Sequence, residues 1–250
     1  MGRGDLDGAI AAWTRAVAAD PTLTRNWFDL DGARGSRHAL VLQAIAAYER
    51  APAIRDDRYE CWFNLGAAYA DLGDLKASVR CYRRAIEIDP DTQQAWYNLG
   101  TAHLDLGHFD DAVSAYRTSL TRNDGDHEAW NNLGHALVQL ERSGEALDCF
   151  RRALSLNPSY DLSWNNLGNV LEETGSLADA REAFEKAVAL APDQATYRLN
   201  LASALARLRL TEHAVAHLVK AVELAPEIRT LLPGFAEFAS LLEHPFLSAP

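Results

Sequence analysis

The sequence predicts an all-α solenoid built from stacked helix-turn-helix repeats, and three regularities support this prediction. A Trp followed two positions later by Asn-Leu-Gly recurs every 34 residues, at Trp62, Trp96, Trp130 and Trp164. A fixed period of this length is the signature of stacked repeats. Within each period, apolar residues return at helical spacing on two successive segments. A turn separates the two segments and a terminator follows the second one, as at Gly73-Asp74 and at Pro90.

Residues 59–92 show how one repeat is built. In the first half, Trp62 and Leu65 belong to one apolar helical face, which a single helix cannot bury. In the second half, Val79 and Tyr82 belong to a second such face. The two helices therefore pair as a hairpin, with the Asp of the turn as a cap for the second helix.

Glycine recurs inside the predicted first helices, at Gly66, Gly100, Gly134 and Gly168. Because glycine inside a helix costs roughly 1 kcal/mol against alanine, a packing reason is expected. The second helices carry a small residue at one equivalent place, namely Ser78, Ala112, Ala146, Ala180 and Ala214. We expect two helix backbones to touch at the glycines, with the small residues as the matching groove.

The repeat register divides the whole chain into one continuous solenoid domain. The chain starts with a half repeat that has only a second helix, and a degenerate repeat with Trp27 in the signature position follows. The last segment contains a helix-like stretch at 235–242 and is predicted to cap the stack, as repeat ends require. The predicted units are 1–23 (half repeat), 24–58 (degenerate), 59–92, 93–126, 127–160, 161–194, 195–228 (divergent) and 229–250 (cap).

The repeat unit resembles the tetratricopeptide repeat. This resemblance implies a right-handed superhelix whose first helices line a concave, protein-binding surface. It also implies a scaffold without catalysis. No cofactor or metal is expected, because none of the eight histidines falls in a metal-ligand pattern. The sequence agrees, because no histidine, serine or glycine pattern typical of an enzyme stands apart from the repeats.

Composition excludes several other classes of protein. No apolar run approaches the ~18 residues that a membrane span needs, so no membrane partner is expected. The formal net charge of -11 disfavours a nucleic-acid surface, which needs clustered Lys and Arg. Three cysteines without metal-ligand spacing and the absence of a secretory signal favour a cytoplasmic protein.

Asparagine supplies the functional signal, since it recurs in five first helices although it is a poorer helix former than alanine. The recurrent residues are Asn64, Asn98, Asn132, Asn166 and Asn200, and neighbouring positions add Asn131, Asn165 and Asn169. The sequence motifs that begin at Trp130 and Trp164 resemble those of the repeat array of O-linked N-acetylglucosamine transferase. In that array a row of asparagines, called an asparagine ladder, holds an extended polypeptide by its backbone. The resemblance therefore implies a peptide-binding groove. The alternative is that these asparagines only bridge neighbouring helices.

Acidic residues border the asparagines at the ends of the first helices, at Asp71, Asp105, Glu172 and Glu173. They favour a basic peptide as the partner, because opposite potentials steer association.

Two further functions stay open at this point. The chain could be the substrate-recognition array of a larger enzyme such as a glycosyltransferase, or a self-assembling structural module. The lone helix around Trp13 has an apolar face without a hairpin partner, which suggests a homodimer through the N-terminal end.

Overall fold

The computed structural model describes residues 59–241, and these residues form α-helices and 3₁₀ turns. The predicted half repeat, the degenerate repeat and the dimer helix lie outside the described residues, as do the last residues of the cap. The helices are α1 Tyr59–Leu72, α2 Leu75–Ile88, α3 Gln93–Asp105, α4 Phe109–Arg122, α5 His127–Gln139, α6 Ser143–Leu156, α7 Asp161–Glu173, α8 Leu177–Leu190, α9 Ala195–Arg207, α10 Thr211–Leu224 and α11 Ile228–Leu231. None of the helices in this described part is both long enough and apolar enough to cross a membrane.

The helices pack as consecutive hairpins in two compact units, divided after Asp124. In the first unit α1 packs on α2, α3 packs on α4, and α2 also contacts α3. In the second unit the hairpins are α5 with α6, α7 with α8, and α9 with α10, and each second helix contacts the next first helix. This order of contacts confirms the predicted all-α fold of helix-turn-helix repeats.

An aromatic ring, and not a helix backbone, lies against each glycine of the first helices. A Cβ atom on Gly66, Gly100, Gly134 or Gly168 would come within 2.5–2.8 Å of the ring of Tyr82, Tyr116, Phe150 or Phe184 respectively. The expectation that helix backbones touch there was therefore wrong. The glycine is needed because a buried ring from the second helix of the same hairpin occupies the space of its side chain.

The turns after the second helices α2, α6 and α8 each accept a hydrogen bond from a side chain of the next repeat. The indole Nε1 of Trp164 donates to the backbone carbonyl of Pro158 at 2.9 Å, and Trp96 donates to Pro90 in the same way. In the divergent last repeat Arg198 stands in the place of the tryptophan, and its Nε donates to the carbonyl of Pro192 at 2.8 Å. Arginine thus preserves one function of the missing tryptophan, the N–H donor for the preceding turn.

The turn inside each hairpin passes through the left-handed region of backbone conformation. Glycine takes this position in three hairpins, with φ between 74° and 84°, but Glu141 and Arg209 take it in the other two, with φ of 58° and 61°. A side chain in this conformation costs roughly 1–2 kcal/mol, because Cβ approaches the following carbonyl oxygen.

We expect Glu141→Gly to raise the free energy of unfolding by about 1 kcal/mol, since glycine removes this steric cost. Glu141→Ala is the matched control, because it deletes the carboxylate and keeps the Cβ atom. Urea denaturation followed by circular dichroism measures both variants. Equal gains from glycine and alanine would show that the effect comes from the charge and would contradict the argument.

The end of the stack is covered by short elements in place of the single helix expected at 235–242. After α11 come two 3₁₀ turns, Leu232–Gly234 and Ala236–Phe238, because Pro233-Gly234 prevents a continuous helix. Their apolar residues Leu232 and Phe238 are fully buried. The second turn contacts α9, and α11 contacts α10. The capping role of 229–250 stays a prediction.

Candidate peptide-binding site on the first helices

In the first unit, the predicted asparagines Asn64 and Asn98 are half-buried on α1 and α3. Asn98 lies near the hydroxyl of Tyr82, which comes from the preceding hairpin. Burial raises the pKa of Tyr82, and the neighbouring polar side chains of Ser78 and Asn98 offset part of that rise. Asn98 therefore reaches back to the repeat before it.

In the second unit, Asn131 is a buried acceptor between two repeats, with 2% of its surface exposed. Its Oδ1 accepts a hydrogen bond from Ser163 Oγ at 2.8 Å and one from Asn166 Nδ2 at 3.1 Å. Both donors lie on α7. Asn131 Nδ2 donates in turn to Asn132 Oδ1 at 3.3 Å.

The same bridge occurs one repeat later. Asn200 Nδ2 on α9 donates to Asn165 Oδ1 at 2.8 Å and to Asn169 Oδ1 at 3.2 Å. Asn165 is buried, with 6% of its surface exposed. The asparagines of the second unit thus connect consecutive first helices, which is the arrangement that the bridging alternative expected.

Bridging does not use the full hydrogen-bonding capacity of Asn166 and Asn200. Both side chains are half-buried, and each enters its bridge only through Nδ2. Within residues 59–241, no hydrogen bond to the Oδ1 atom of either side chain is present. A side-chain amide carries two donors and an acceptor oxygen with two lone pairs. Each residue can therefore hold its bridge and still accept a hydrogen bond from a peptide N–H group.

The predicted acidic residues fall into two groups. Glu172 is mostly buried and pairs with Arg207, whose Nη1 lies 3.2 Å from Glu172 Oε1. Its Oε1 atom also lies 2.8 Å from Ser203 Oγ, whose single proton is shared with Glu237 Oε1 at 2.7 Å. In contrast, Asp71, Asp105 and Glu173 are exposed. The charge of Glu172 is thus compensated within the protein, and it contributes less to the attraction of a basic partner than the sequence suggested.

Comparison with known protein families identifies the repeats. A tetratricopeptide repeat model matches residues 97–161, 131–195 and 165–227, and a second TPR repeat model matches residues 68–107. The chain belongs to the tetratricopeptide repeat family. No curated protein sequence gave a match to the chain.

Several solved structures are similar to the described fold. MamA aligns with a TM-score of 0.62 and 25% identity, covering 66% of this chain and 97% of MamA. TTC0263, a thermophilic TPR protein from Thermus thermophilus, aligns with a TM-score of 0.55 and 26% identity, covering 74% of this chain and 99% of TTC0263. YrrB, described as a TPR protein with an unusual peptide-binding site, aligns with a TM-score of 0.61 and 22% identity, covering 73% of this chain and 94% of YrrB.

Three site residues of this TPR array were missed in the sequence, namely Ser163, Ser203 and Arg207. The repeat register offered a signal for Arg207, because earlier first helices carry Asp71 and Asp105 at the equivalent place. The reversal of charge at this repeat position is the departure from the pattern that could have drawn attention to Arg207. The two serines gave no such signal, since the equivalent positions in other repeats vary in size and polarity.

Proposed function

We propose that this TPR protein is an interaction scaffold that binds an extended peptide segment along the first helices α5, α7 and α9. The observation that carries the proposal is the fixed orientation of the Asn166 and Asn200 amides. Each is held by a buried carbonyl oxygen of the preceding repeat and keeps an acceptor oxygen available. Groups that are oriented before binding lose little conformational freedom when a peptide arrives.

Backbone recognition follows from the chemistry of the amide. An extended peptide presents N–H and C=O groups along its length, and an asparagine side chain can pair with both. Such pairing gives affinity without demanding a particular peptide sequence. Specificity then comes from the exposed acids at the helix ends, of which Glu173 belongs to the same unit. A peptide containing Lys or Arg is the expected cargo.

Selection from a phage-displayed random peptide library against the intact chain tests this proposal. Peptides of about twelve residues suffice, because they span roughly 40 Å when extended. We expect selected peptides to be enriched in Lys and Arg, and their affinity to fall as salt is added. Asn166→Ala is expected to weaken their binding at least about tenfold, which corresponds to roughly 1.4 kcal/mol.

The matched control is Asn123→Ala, because Asn123 is exposed and follows the second helix α4. This variant is expected to bind the selected peptides as the unaltered chain does. Equal affinity of the Asn166 and Asn123 variants would contradict the proposed groove. Loss of binding in both would indicate a different surface.

A further inference from the structure

Two histidines and an aspartate meet at the turn between α3 and α4, in the first unit. His103 lies in the last turn of α3, His108 precedes α4, and Asp111 lies in the first turn of α4. One ligand atom from each residue lies within 4.8 Å of the other two. Of the residues in the range 59–241, these three form the only such group of possible metal ligands.

His103 contributes an unsatisfied polar atom to this cluster. The residue is buried, with 4% of its surface exposed, and its Nδ1 atom has no hydrogen-bond partner. Asp111 Oδ2 lies 3.9 Å from Nδ1, which is too long for a hydrogen bond. A buried polar atom without a partner costs free energy, so its persistence here needs an explanation.

The imidazole of His103 is suited to bind a cation. Neutral imidazole is the form that binds metal ions. The rings of His103 and His108 are close, with 5.6 Å between their centroids.

We propose that His103, His108 and Asp111 form a binding site for a divalent transition-metal ion such as Zn²⁺. Bonds of about 2.0–2.2 Å from nitrogen and carboxylate oxygen require ligand atoms roughly 3.4 Å apart in a tetrahedral site. The distance from His103 Nδ1 to Asp111 Oδ2 is 3.9 Å, and every pair of ligand atoms lies within 4.8 Å. The exposed side chains of His108 and Asp111 therefore have to turn toward the ion when it binds. A water molecule completes the coordination, since three protein ligands leave one position open.

The repeat register shows that the cluster is specific to this hairpin. The places of His103 and His108 are taken by Leu137 and Arg142 in the next repeat, and by Leu171 and Ser176 in the one after it. Packing and turn formation therefore do not require histidine at either place. A bound ion would fasten the end of α3 to the start of α4 and make the stability of this hairpin depend on metal.

Calorimetric titration of the intact chain with ZnCl₂ tests the site, together with the visible absorption of added Co²⁺. We expect one equivalent to bind, with Co²⁺ bands typical of tetrahedral coordination. His103→Leu and Asp111→Asn are each expected to weaken Zn²⁺ binding at least about tenfold. Circular dichroism verifies that the variants are folded. If His103→Leu fails to fold, the Zn²⁺ affinity of Asp111→Asn tests the site, because the Asp111 side chain is exposed and outside the core.

His213→Ala is the matched control, since His213 is exposed and occupies the repeat position of Asp111 in the last repeat. It should bind Zn²⁺ as the unaltered chain does. Retained affinity in both His103→Leu and Asp111→Asn would overturn the proposal, as would the absence of any one-equivalent binding by the unaltered chain. A loss caused equally by His213→Ala would assign the ion to scattered surface histidines and would overturn it too.

Discussion

Replacing Phe184 by alanine is expected to lower the free energy of unfolding by about 3–5 kcal/mol, the range found for large aromatic side chains in protein cores. The ring is fully buried and fills the space above Gly168. Its removal leaves a cavity that the rigid hairpin of α7 and α8 cannot close. Urea denaturation followed by circular dichroism measures the change. A loss below about 1 kcal/mol would contradict the packing argument.

Gly168→Ala provides the control for this contact, because its effect on the free energy of unfolding should change sign when the Phe184 ring is removed. In the unaltered chain the added Cβ would lie 2.5 Å from the Phe184 ring, so the substitution is expected to destabilise the protein by about 1–3 kcal/mol. In the Phe184→Ala background the ring is gone, and alanine should stabilise the helix by up to about 1 kcal/mol. Equal effects in both backgrounds would show that the glycine has another role.

Asn200→Ala is expected to lower the free energy of unfolding by about 1–3 kcal/mol, although alanine is the better helix former. The substitution removes the only hydrogen bond to the buried Oδ1 atom of Asn165 within the described part of the chain. Asn166→Ala is the matched comparison and should cost less. Its acceptor, Asn131 Oδ1, keeps the hydrogen bond from Ser163. Thermal unfolding of both variants measures the difference.

An Asn200→Ala variant that melts at or above the temperature of the unaltered chain would contradict the bridging role. Helix propensity alone leads to the expectation of that result, because alanine is a better helix former than asparagine. The hydrogen bonds between repeats reverse this expectation for Asn200.

The repeat period alone was enough to predict the helical hairpins, because apolar spacing, turn residues and helix terminators all return in the same register. The glycine contact was harder to predict. Gly66 and Tyr82 each follow the repeat, and their constant separation is visible in the sequence. However, a repeated pair does not say whether two residues touch, and the small residues of the second helices suggested another partner for the glycine.

The roles of the asparagines depend on contacts between repeats, which a pattern within one repeat cannot show. Asn131 and Asn165 were predicted as peptide-binding residues, and the structure buries both as hydrogen-bond acceptors. Neighbouring residues such as Asn131 and Asn132 differ by about 100° around the helix, so one faces the next repeat while the other is more open. The peptide-binding role, the basic cargo and the cytoplasmic location stay predictions.

The side-chain amide resonances of the asparagines offer the most direct measurement of the proposed groove. A ¹⁵N-labelled chain is titrated with the tightest selected peptide, and the Nδ2 resonances are followed in heteronuclear correlation spectra. We expect the signals of Asn166 and Asn200 to shift in proportion to bound peptide, while that of Asn157, beyond the end of α6, stays in place. Shifts confined to Asn157 and the second helices would contradict the account.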